Sequence, residues 1–528
     1  MKKWLKNLVI FGLILAYFFG IQGTTHFADP DCFYNTRMAL IMKENLVLDN
    51  FPWLQYSVLK DNYIDHHFLY HVFLIPWVSL EKMGISPLLG VRLSAIFLAS
   101  CLIFLFYIIL KKWRIRYALF FVGLLLISTF FIFRISLARA PAISGIFLLG
   151  ATYFILQDKK KFNWFLFIIC FGYVWLYSAW LLVPVILFFY ILGGTLNEIV
   201  KIKGLKLRLK RFWSRLWQNV AESKYKIGAV LGGIGTGLII NPYFPANLKF
   251  YYHQIFQIAI VNFHSKFGVG AEWYPLEPME LYRNSFVFII LLIISVALWL
   301  VVKNKQDKKT WALFLLSVFF FLYTLKARRS IEYLVPFGVL FIVTVYDNIF
   351  EKKPWRQLEK EFNKFFSLAQ RRVLIGLVSL LVFVAPYFIY SDLSVLSRWI
   401  GHFRFNHLLG ASEWVKQNVP VGETVFNTNW DYFGFLFYHN PDNYYITGLD
   451  QTFMYSYDPE LLELYVDISK GLYAFDLKET LRDKFGSNYV LISEARNKEF
   501  YKVLTSLKED FDLVYEDEEL SIFALNGD

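Results

Sequence analysis

The chain has 528 residues, of which 57% are hydrophobic and only 18% are charged, and its formal net charge is +12. Soluble domains average about 25% charged residues, and aromatic residues alone make up 20% of this chain. The composition excludes an ordinary soluble protein and indicates one that is mostly embedded in a membrane. The basic residues lie in short clusters between apolar segments, which is typical of membrane orientation and argues against a nucleic-acid partner. Three cysteines predict neither a disulfide framework nor a Cys-rich metal site.

In chain order, apolar segments that suggest membrane-spanning helices begin directly after the basic N-terminus. The first is interpreted as a retained helix rather than a cleaved signal peptide, because many further spans follow and no clear cleavage site is present. We predict about eleven spans, near residues 7–24, 88–110, 117–133, 141–156, 163–177, 180–196, 227–241, 285–302, 311–325, 333–349 and 373–391.

The basic clusters predict the orientation of these spans, because Lys and Arg concentrate in cytoplasmic loops. With the N-terminus inside, nearly every basic cluster falls in an inside loop, and the main exception is the pair Arg328-Arg329. Two long loops, 25–87 and 242–284, then lie outside together with the tail from residue 392. We expect a cytoplasmic N-terminus, an extracytoplasmic C-terminus and location in a bacterial plasma membrane.

The tail differs from the rest of the chain, because helix-like and strand-like segments alternate from about residue 405. Such alternation predicts a small α/β domain. The predicted fold is therefore a polytopic α-helical membrane protein with a small C-terminal extramembrane α/β domain. The predicted boundaries are 1–391 for the transmembrane domain, with its two outer loops, and 392–528 for the α/β domain.

The first outside loop contains two carboxylates in the sequence Asp29-Pro30-Asp31. Two carboxylates beside a membrane suit a divalent cation and a phosphate leaving group, or alternatively act as acid and base. An Asp that only caps a helix N-terminus is an equally good interpretation of the pair taken alone.

Histidines are unusually dense later in the same loop, where Asp65-His66-His67 is followed by His71. His67 and His71 are four residues apart and would share a helix face. Metal ligation by these histidines is one hypothesis, although the spacing lacks the usual zinc signature.

Three further sites carry candidate residues. Glu272 lies among aromatic residues in the second outside loop, where a carboxylate could orient an acceptor or ligate a metal; an interfacial aromatic belt is the alternative. Arg328 and Arg329 end an outside loop and offer planar forks for phosphate, with snorkelling to the interface as the alternative. Trp430 and Asp431 follow a predicted strand and suit a small polar group, or are a buried Trp with a capping Asp.

Taken in order, these features resemble those of GT-C fold membrane glycosyltransferases: a first helix, an outside acidic pair, a helical bundle, an outside loop bearing Glu and an outside α/β domain. Short stretches of the tail are similar to the catalytic subunit of oligosaccharyltransferases. That family has a Trp-Trp-Asp-Tyr-Gly motif after a strand. The matching stretches here are Ser412-Glu413-Trp414-Val415, Asn418-Val419-Pro420 and Asn429-Trp430-Asp431-Tyr432-Phe433, which lacks the first Trp and the final Gly.

The resemblance implies an enzyme that moves a sugar from a polyprenyl-phosphate-linked donor to a protein or lipid acceptor on the outer face of the membrane. It implies a base or a ligand of a divalent cation, Mg²⁺ or Mn²⁺, in the acidic pair. The predicted catalytic residues are Asp29, Asp31 and Glu272. The predicted contacts are Arg328, Arg329 and His67 for the donor phosphate, Trp430 and Asp431 for the acceptor, and Asp31, His66 and His67 for the metal.

The chain also departs from that family, whose second acidic motif follows the third span. The corresponding loop here, 134–139, has no carboxylate. Two alternatives therefore stay open: a transporter or flippase for a lipid-linked or polar substrate, and a non-catalytic membrane scaffold. Ionisable residues at the middle of the spans would favour a transporter.

Overall fold

The structure is a computed structural model that describes residues 3–157, 159–256, 268, 270–301, 307–350 and 398–526, together with positions 372, 376, 379, 387 and 396. Apart from those single positions, the last predicted span, 373–391, lies outside the described residues, as does a part of the second outer loop, 257–267. The other ten predicted spans all fall on helices.

Helices make up most of the described chain and are numbered here in order. The first eleven are α1 Lys3–Gln22, α2 Asp31–Glu44, α3 Phe68–Val78, α4 Pro87–Lys112, α5 Ala118–Leu126, α6 Thr129–Ser136, α7 Pro141–Ile155, α8 Phe162–Leu176, α9 Leu182–Ile199, α10 Leu205–Glu222 and α11 Lys224–Ile239. The others are α12 Ala246–Tyr252, α13 Pro278–Asn284, α14 Phe286–Val301, α15 Lys308–Lys326, α16 Ile331–Phe350, α17 Leu409–Asn418, α18 Phe433–His439, α19 Gln451–Tyr457, α20 Pro459–Ser469, α21 Leu477–Phe485 and α22 Lys498–Ser506.

The chain forms two compact units, and neither is continuous in sequence. The first unit comprises Met1–Gly23, Ala95–Ile239 and Glu272–Ile400. The second unit comprises Thr24–Ser94, Ile240–Ala271 and Gly401–Asp528, so it groups most of both predicted outer loops with the tail.

Five helices of the described chain are long and apolar enough to cross a membrane, and the number rises to seven if each of two bent pairs is one span. The five candidate spans are Trp4–Gln22, Pro87–Lys112, Ser178–Ile199, Lys308–Lys326 and Arg328–Ile349. Two shorter apolar helices are α7 and α8. This is the architecture of a polytopic helical membrane protein.

Both bent pairs break at a serine. The predicted span 117–133 is not one straight helix, because α5 and α6 meet at an angle of 78°. Helices α13 and α14 likewise meet at 103°. Ser128, between α5 and α6, lies 2.9 Å from Ser285, between α13 and α14, and both side chains are buried. This hydrogen bond joins the two breaks.

Helix α11 packs closely on α8 because two of its glycines have no side chain. A Cβ atom on Gly233 would lie 2.5 Å from the Phe167 carbonyl oxygen, and one on Gly237 would lie 2.9 Å from that of Phe171. The indole of Trp175 donates to the Gly237 carbonyl at 2.8 Å. Small residues four apart let helices approach in this way when lipid surrounds them.

The second unit contains a five-stranded sheet in the order β4-β3-β5-β7-β6. Strand β3 pairs in parallel with β4 and β5, whereas β7 pairs antiparallel with β5 and β6. The strands are β3 Thr424–Asn427, β4 Tyr444–Tyr445, β5 Ser487–Ile492, β6 Phe511–Glu516 and β7 Ser521–Leu525; β1 His26–Phe27 and β2 Phe403–Arg404 form a separate pair. Helices α20, α21 and α22 contribute to a common apolar core with the sheet, as expected for an α/β domain.

The first outer loop is part of this second unit and extends its sheet. Leu54 forms a parallel bridge with Tyr445, and the Gln55 amide donates to the Tyr445 carbonyl at 3.2 Å. The Trp53 indole donates to the Pro441 carbonyl at 2.7 Å. These bonds hold the loop against the edge of the sheet at β4.

Candidate functional site

Three arginines surround Glu272 in the first unit. Arg134 lies in the last turn of α6, Arg139 precedes α7, and Arg329 belongs to the 3-10 helix Arg328–Ser330 between α15 and α16. Oε1 of Glu272 accepts from Arg329 Nη1 at 2.9 Å. Oε2 accepts from Arg134 Nη1 and lies 3.4 Å from Arg139 Nη1. One carboxylate therefore holds three guanidinium groups together.

A second carboxylate completes this group. Glu332, near the start of α16, accepts a hydrogen bond from Arg134 Nε at 2.9 Å, and only 5% of Glu332 is exposed. We define the arginine cluster as Arg134, Arg139, Arg329, Glu272 and Glu332. Its charges leave one positive charge in excess (three minus two) among these described side chains.

Donors and acceptors in the arginine cluster are not all satisfied. Nη2 of Arg134 and Oε1 of Glu332 are buried and have no hydrogen-bond partner within the described part of the chain. Burial alone would raise the pKa of Glu272, but the guanidinium groups of Arg134, Arg139 and Arg329 outweigh it and hold this pKa well below its usual range. Glu272 is therefore ionised at neutral pH, and the cluster retains its excess positive charge.

The segment that carries Glu272 is fixed to the arginine pair at several points. The guanidinium carbon of Arg329 lies 4.3 Å from the ring centre of Trp273. The Arg328 amide donates to the Tyr274 carbonyl at 3.0 Å, and its Nη2 lies 3.4 Å from the Pro275 oxygen. Arg329 also donates to the Tyr177 hydroxyl. Arg328 and Arg329 thus differ, because of the two only Arg329 contacts a carboxylate of the described residues.

An apolar cavity adjoins the arginine cluster. The cavity is lined by Glu332 and by residues of α4, α6, α7 and α16, and most of the atoms that face it are carbon. The lining residues are Leu102, Ile135, Pro141, Gly145, Leu148, Leu149, Glu332, Tyr333, Pro336 and Phe337. A charged group and an apolar slot are therefore neighbours within the first unit.

In the second unit, Asp31 and the pair Trp430-Asp431 line one small cavity, although some 400 positions separate them in the chain. Asp31 lies in the first turn of α2, and Trp430–Tyr432 form a 3-10 turn directly after β3. Pro30, Gly434 and Leu449 complete the lining. The fold thus brings together the predicted acidic motif and the predicted acceptor contacts.

The close contact between Pro30 and Gly434 accounts for part of this arrangement. A Cβ atom on Gly434 would lie 2.4 Å from the Pro30 carbonyl oxygen, so helix α18 can pack there only with glycine at this position. The Pro30 carbonyl accepts from the Phe33 amide at 3.0 Å. Asp29 Oδ1 lies 3.4 Å from Cys32 Sγ. The acidic pair is therefore fixed by the start of α2.

Arg496 binds Asp431 from the loop after β5. Its Nη1 lies 3.0 Å from Asp431 Oδ2 and 3.1 Å from Oδ1, and its guanidinium lies 5.1 Å from the ring centre of Tyr432. The neighbouring Asn497 accepts from Asn429 Nδ2 at 2.6 Å. Ligand sites commonly form where adjacent parallel strands end, and this loop pair follows β3 and β5.

The histidines form a polar network around α2. His71 Nδ1 lies 2.7 Å from Asp65 Oδ2, and His71 Nε2 lies 3.0 Å from Asn35 Oδ1, with all three residues buried. The rings of His66 and His67 are 3.9 Å apart, and the His67 amide donates to Asp65 Oδ1 at 2.9 Å. Asp65 and His71 are thus occupied by each other and by α2.

These residues do not fit a metal. Among the residues that the structure describes, no three His, Cys, Asp or Glu side chains are grouped so that they could hold a metal ion. Both oxygens of Glu272 accept from arginines, and the loop 134–139 supplies guanidinium groups where the resembled family has carboxylates. The divalent cation remains a prediction, and no chemical step is derived through it.

No family model and no curated protein matches this chain, whereas several solved structures do. The oligosaccharyltransferase of Archaeoglobus fulgidus aligns with a TM-score of 0.62 over 96% of this chain and 71% of its own, at 13% identity. ArnT from Cupriavidus metallidurans, bound to undecaprenyl phosphate, gives 0.55 over 99% of this chain and 98% of its own, at 12% identity. The arabinofuranosyltransferase AftD from Mycobacteria gives 0.54 over 100% and 40%, at 11% identity.

The chain has the GT-C glycosyltransferase fold. The predicted resemblance is thereby confirmed at the level of the fold. Two of these proteins, the oligosaccharyltransferase and AftD, carry the name of a transferase of sugars, and one related oligosaccharyltransferase structure contains an inhibitory peptide and a dolichol-phosphate.

Arg134, Glu332 and Arg496 were not predicted as residues of these sites. Arg134 lies in an apolar segment, where an ionisable residue is itself a signal of function, so the sequence did contain a hint. Arg496 had no such hint, because its partner Asp431 is 65 positions away and only the parallel pairing of β3 and β5 brings their loops together.

Proposed function

We propose that this GT-C protein is a membrane glycosyltransferase that moves a sugar from a polyprenyl-phosphate-linked donor to an acceptor on the outer face of a bacterial plasma membrane. The observation that carries the proposal is the arginine cluster beside an apolar cavity, because a polyprenyl phosphate is a charged head on an apolar chain. The forks of Arg134 and Arg329 suit phosphate oxygens.

The apolar lining of the cavity suits the lipid part of such a donor, but the cavity itself is small, about 10 Å³, and would have to widen to admit prenyl units. Half of its lining residues belong to α6 and α16, the helices that carry Arg134 and Glu332, and the others belong to α4 and α7. Contact of prenyl units with these carbon surfaces is favourable by about 25 cal/mol per Å² of apolar area removed from water. The donor would therefore be recognised by both its phosphate and its chain.

Asp31 is the proposed base. It shares a cavity with Trp430, the residue proposed to contact the acceptor. An acceptor hydroxyl would give its proton to the Asp31 carboxylate as its oxygen attacks the anomeric carbon of the sugar. The bond between that carbon and the phosphate oxygen then breaks, and the departing phosphate keeps the electron pair.

Asp29 would support Asp31 in this proposal, because its carboxylate lies near Cys32 at the start of α2. The pair Asp431–Arg496 would orient the acceptor from the other wall of the cavity. The acceptor is a protein or a lipid. The archaeal oligosaccharyltransferase was solved with a peptide, and ArnT, which matches this chain over nearly its full length, was solved with a polyprenyl phosphate.

The transporter alternative gains little from the described spans. Three buried charges do occur in them: Arg92 is the sixth residue of α4, Arg134 is in the last turn of α6 and Glu332 is the second residue of α16. All three therefore lie near span ends, whereas transporters place such residues near the middle of the bilayer.

The proposal is tested with the full chain in liposomes that contain polyprenyl-linked sugars extracted from bacterial membranes. Asp31→Asn should reduce transfer to added acceptor by at least about 100-fold, the lower end of what general base catalysis contributes. Asp61→Asn is the matched control, because Asp61 is exposed in the same loop. Equal activity of the two variants would contradict the role of Asp31.

A further inference from the structure

We propose that the carboxylate of Glu272 is an internal substitute for the donor phosphate, which replaces it between Arg134, Arg139 and Arg329 when the donor binds. This inference rests on the proposed function and adds a competition that regulates the same site. Carboxylate and phosphate are the two anions that a guanidinium fork binds in the same planar geometry. Both oxygens of Glu272 are placed where two phosphate oxygens would lie.

Charge favours the exchange. With Glu272 in place, the arginine cluster has one excess positive charge; without it, three arginines face only Glu332, and the excess is two. A phosphodiester or phosphomonoester supplies one or two negative charges, so the phosphate restores the balance. Buried arginines without a counter-charge are costly, and Glu272 stabilises the cluster while no donor is bound.

The two carboxylates of the cluster are not equally exchangeable. Glu332 belongs to the long helix α16 and is buried, with 2% of its side chain exposed. Glu272 lies in the three-residue 3-10 helix Ala271–Trp273, and 15% of its side chain is exposed. The segment from Glu272 to Pro275 is attached through Arg328 and Arg329, and Arg329 is one of the residues that the phosphate would engage. Donor binding should therefore release this segment.

The first test measures binding of geranylgeranyl phosphate to the purified full chain in detergent. Glu272→Gln removes the competing charge and should tighten binding by roughly tenfold, a modest change for close charge pairs. Glu277→Gln is the control, because Glu277 is exposed at the N-cap of α13, five residues after Glu272. Unchanged or weaker binding by the Glu272→Gln variant overturns the inference.

A second test uses the wild-type chain and so does not depend on folding of the variant. Backbone amides of Glu272, Trp273 and Tyr274 should exchange hydrogen faster when geranylgeranyl phosphate is added, although ligands usually slow exchange. Slower or unchanged exchange contradicts the inference. Failure of the proposed function looks different: neither the wild type nor Arg329→Gln would bind the phosphate at all.

A separate observation concerns α10, and from it we infer that this helix binds the surface of an anionic bilayer. Leu205, Leu209, Trp213 and Trp217 follow one another at intervals of four, and each is 65–71% exposed. Successive positions four apart turn by about 40°, so these side chains form one stripe along the helix. A long exposed stripe of Leu and Trp is otherwise rare at a water-facing surface.

The remaining surface of α10 divides into two further faces. One faces the bundle: Asn219 is buried, and Arg208 donates to the carbonyls of Ile202 and Val200 at 2.7 and 2.9 Å. The other is basic and exposed, with Lys206, Lys210 and Arg211. Because α10 packs on the candidate span that contains α9, a lipid surface is the occupant that fits both the apolar stripe and the basic face.

The test compares thermal unfolding of the full chain in nanodiscs of phosphatidylcholine with and without phosphatidylglycerol. The anionic lipid should raise Tm for the wild type, and exchange of Lys206, Lys210 and Arg211 for Gln should abolish the rise. Replacement of Lys159, Lys160 and Lys161 by Gln removes the same charge from another exposed loop. This control variant should still show the rise in Tm. Equal behaviour of the two triple variants overturns the inference. If α10 bound an acidic protein instead, adding such a protein would raise Tm without anionic lipid, which would also overturn it.

Discussion

Arg328 and Arg329 are neighbours in sequence with different surroundings. Arg329 binds Glu272 at 2.9 Å, stacks on Trp273 and donates to Tyr177. Arg328 contacts only backbone oxygens in the interactions described above. At the scale of single residues, we therefore assign phosphate binding to Arg329 and attachment of the segment after Glu272 to Arg328.

Lysine at these two positions separates their roles. Arg329→Lys keeps the charge but loses the planar fork, so kcat/KM for the lipid-linked donor should fall by about 10-fold or more, as expected for a lost charge-assisted hydrogen bond of about 1.5–3 kcal/mol. Arg328→Lys should change it by less than about threefold. The measurement is initial rate of transfer at varied donor, and a larger effect of Arg328→Lys would contradict this assignment.

Gly434 allows α18 to contact Pro30. Gly434→Ala should lower the unfolding free energy by about 1–3 kcal/mol, because the added methyl group overlaps the Pro30 carbonyl and the packing must shift. The control is Gly228→Ala in α11, where a Cβ atom meets nothing within 4 Å. That substitution should be neutral or slightly stabilising, since alanine favours helix. Thermal unfolding in detergent compares the two, and equal stability would be inconsistent with the contact.

His439 gives a pH dependence. The pKa of His439 is lowered to about 4, mainly by burial. A hydrogen bond with the His407 backbone opposes this shift, and the charge of Arg37 adds to it. The unfolded chain therefore binds a proton at higher pH than the folded chain, and stability should fall as the pH drops from about 6.5 towards 4. Between pH 7.5 and 5, His439→Gln should lose less Tm than the wild type. An equal loss would exclude His439 as the cause.

At the scale of elements, ten of the predicted spans fall on helices because apolar content marks these segments. Only five to seven helices of the described chain are long and apolar enough to cross a membrane. The break between α5 and α6 was not predicted. Residues 118–136 contain no proline, and their hydropathy is continuous across Ile127 and Ser128. The hydrogen-bond partner of Ser128 at the bend is Ser285, more than 150 positions away. The local sequence pattern therefore could not predict the bend.

The serine contact between the breaks should be worth about 1 kcal/mol. A double-mutant cycle with Ser128→Ala and Ser285→Ala should show a coupling of that size in the free energy of unfolding. Ser317→Ala is a control, because its hydroxyl donates to the Leu313 carbonyl of its own helix. Additive effects of the two substitutions would mean that the breaks are held by other contacts.

In the tail, the alternation of helix and strand was a good guide. Strands and helices alternate there as predicted, but the 3-10 turn Trp430–Tyr432 and helices α18 and α19 do not follow from that pattern. These short elements contain many aromatic residues that pack against the first outer loop, as Phe433 does against Phe51. Their structure depends on that contact rather than on local pattern.

At the scale of the whole molecule, the sequence located most of the candidate site residues but not their partners. Asp31, Trp430 and Asp431 line one cavity, and Glu272 binds Arg329. Arginines bind Glu272, which is therefore not open to an acceptor, because three separate helix ends meet around it. These contacts could not be predicted from the spacing of the residues along the sequence.

The most direct measurement of the central proposal is the stoichiometry of reaction products in sealed liposomes that contain the full chain and a labelled polyprenyl-phosphate-linked sugar. We expect one glycosylated acceptor for each polyprenyl phosphate released, with both absent for Asp31→Asn and strongly reduced for Arg329→Lys. Movement of intact lipid-linked sugar between leaflets, with no glycosidic product and no free polyprenyl phosphate, would contradict a glycosyltransferase.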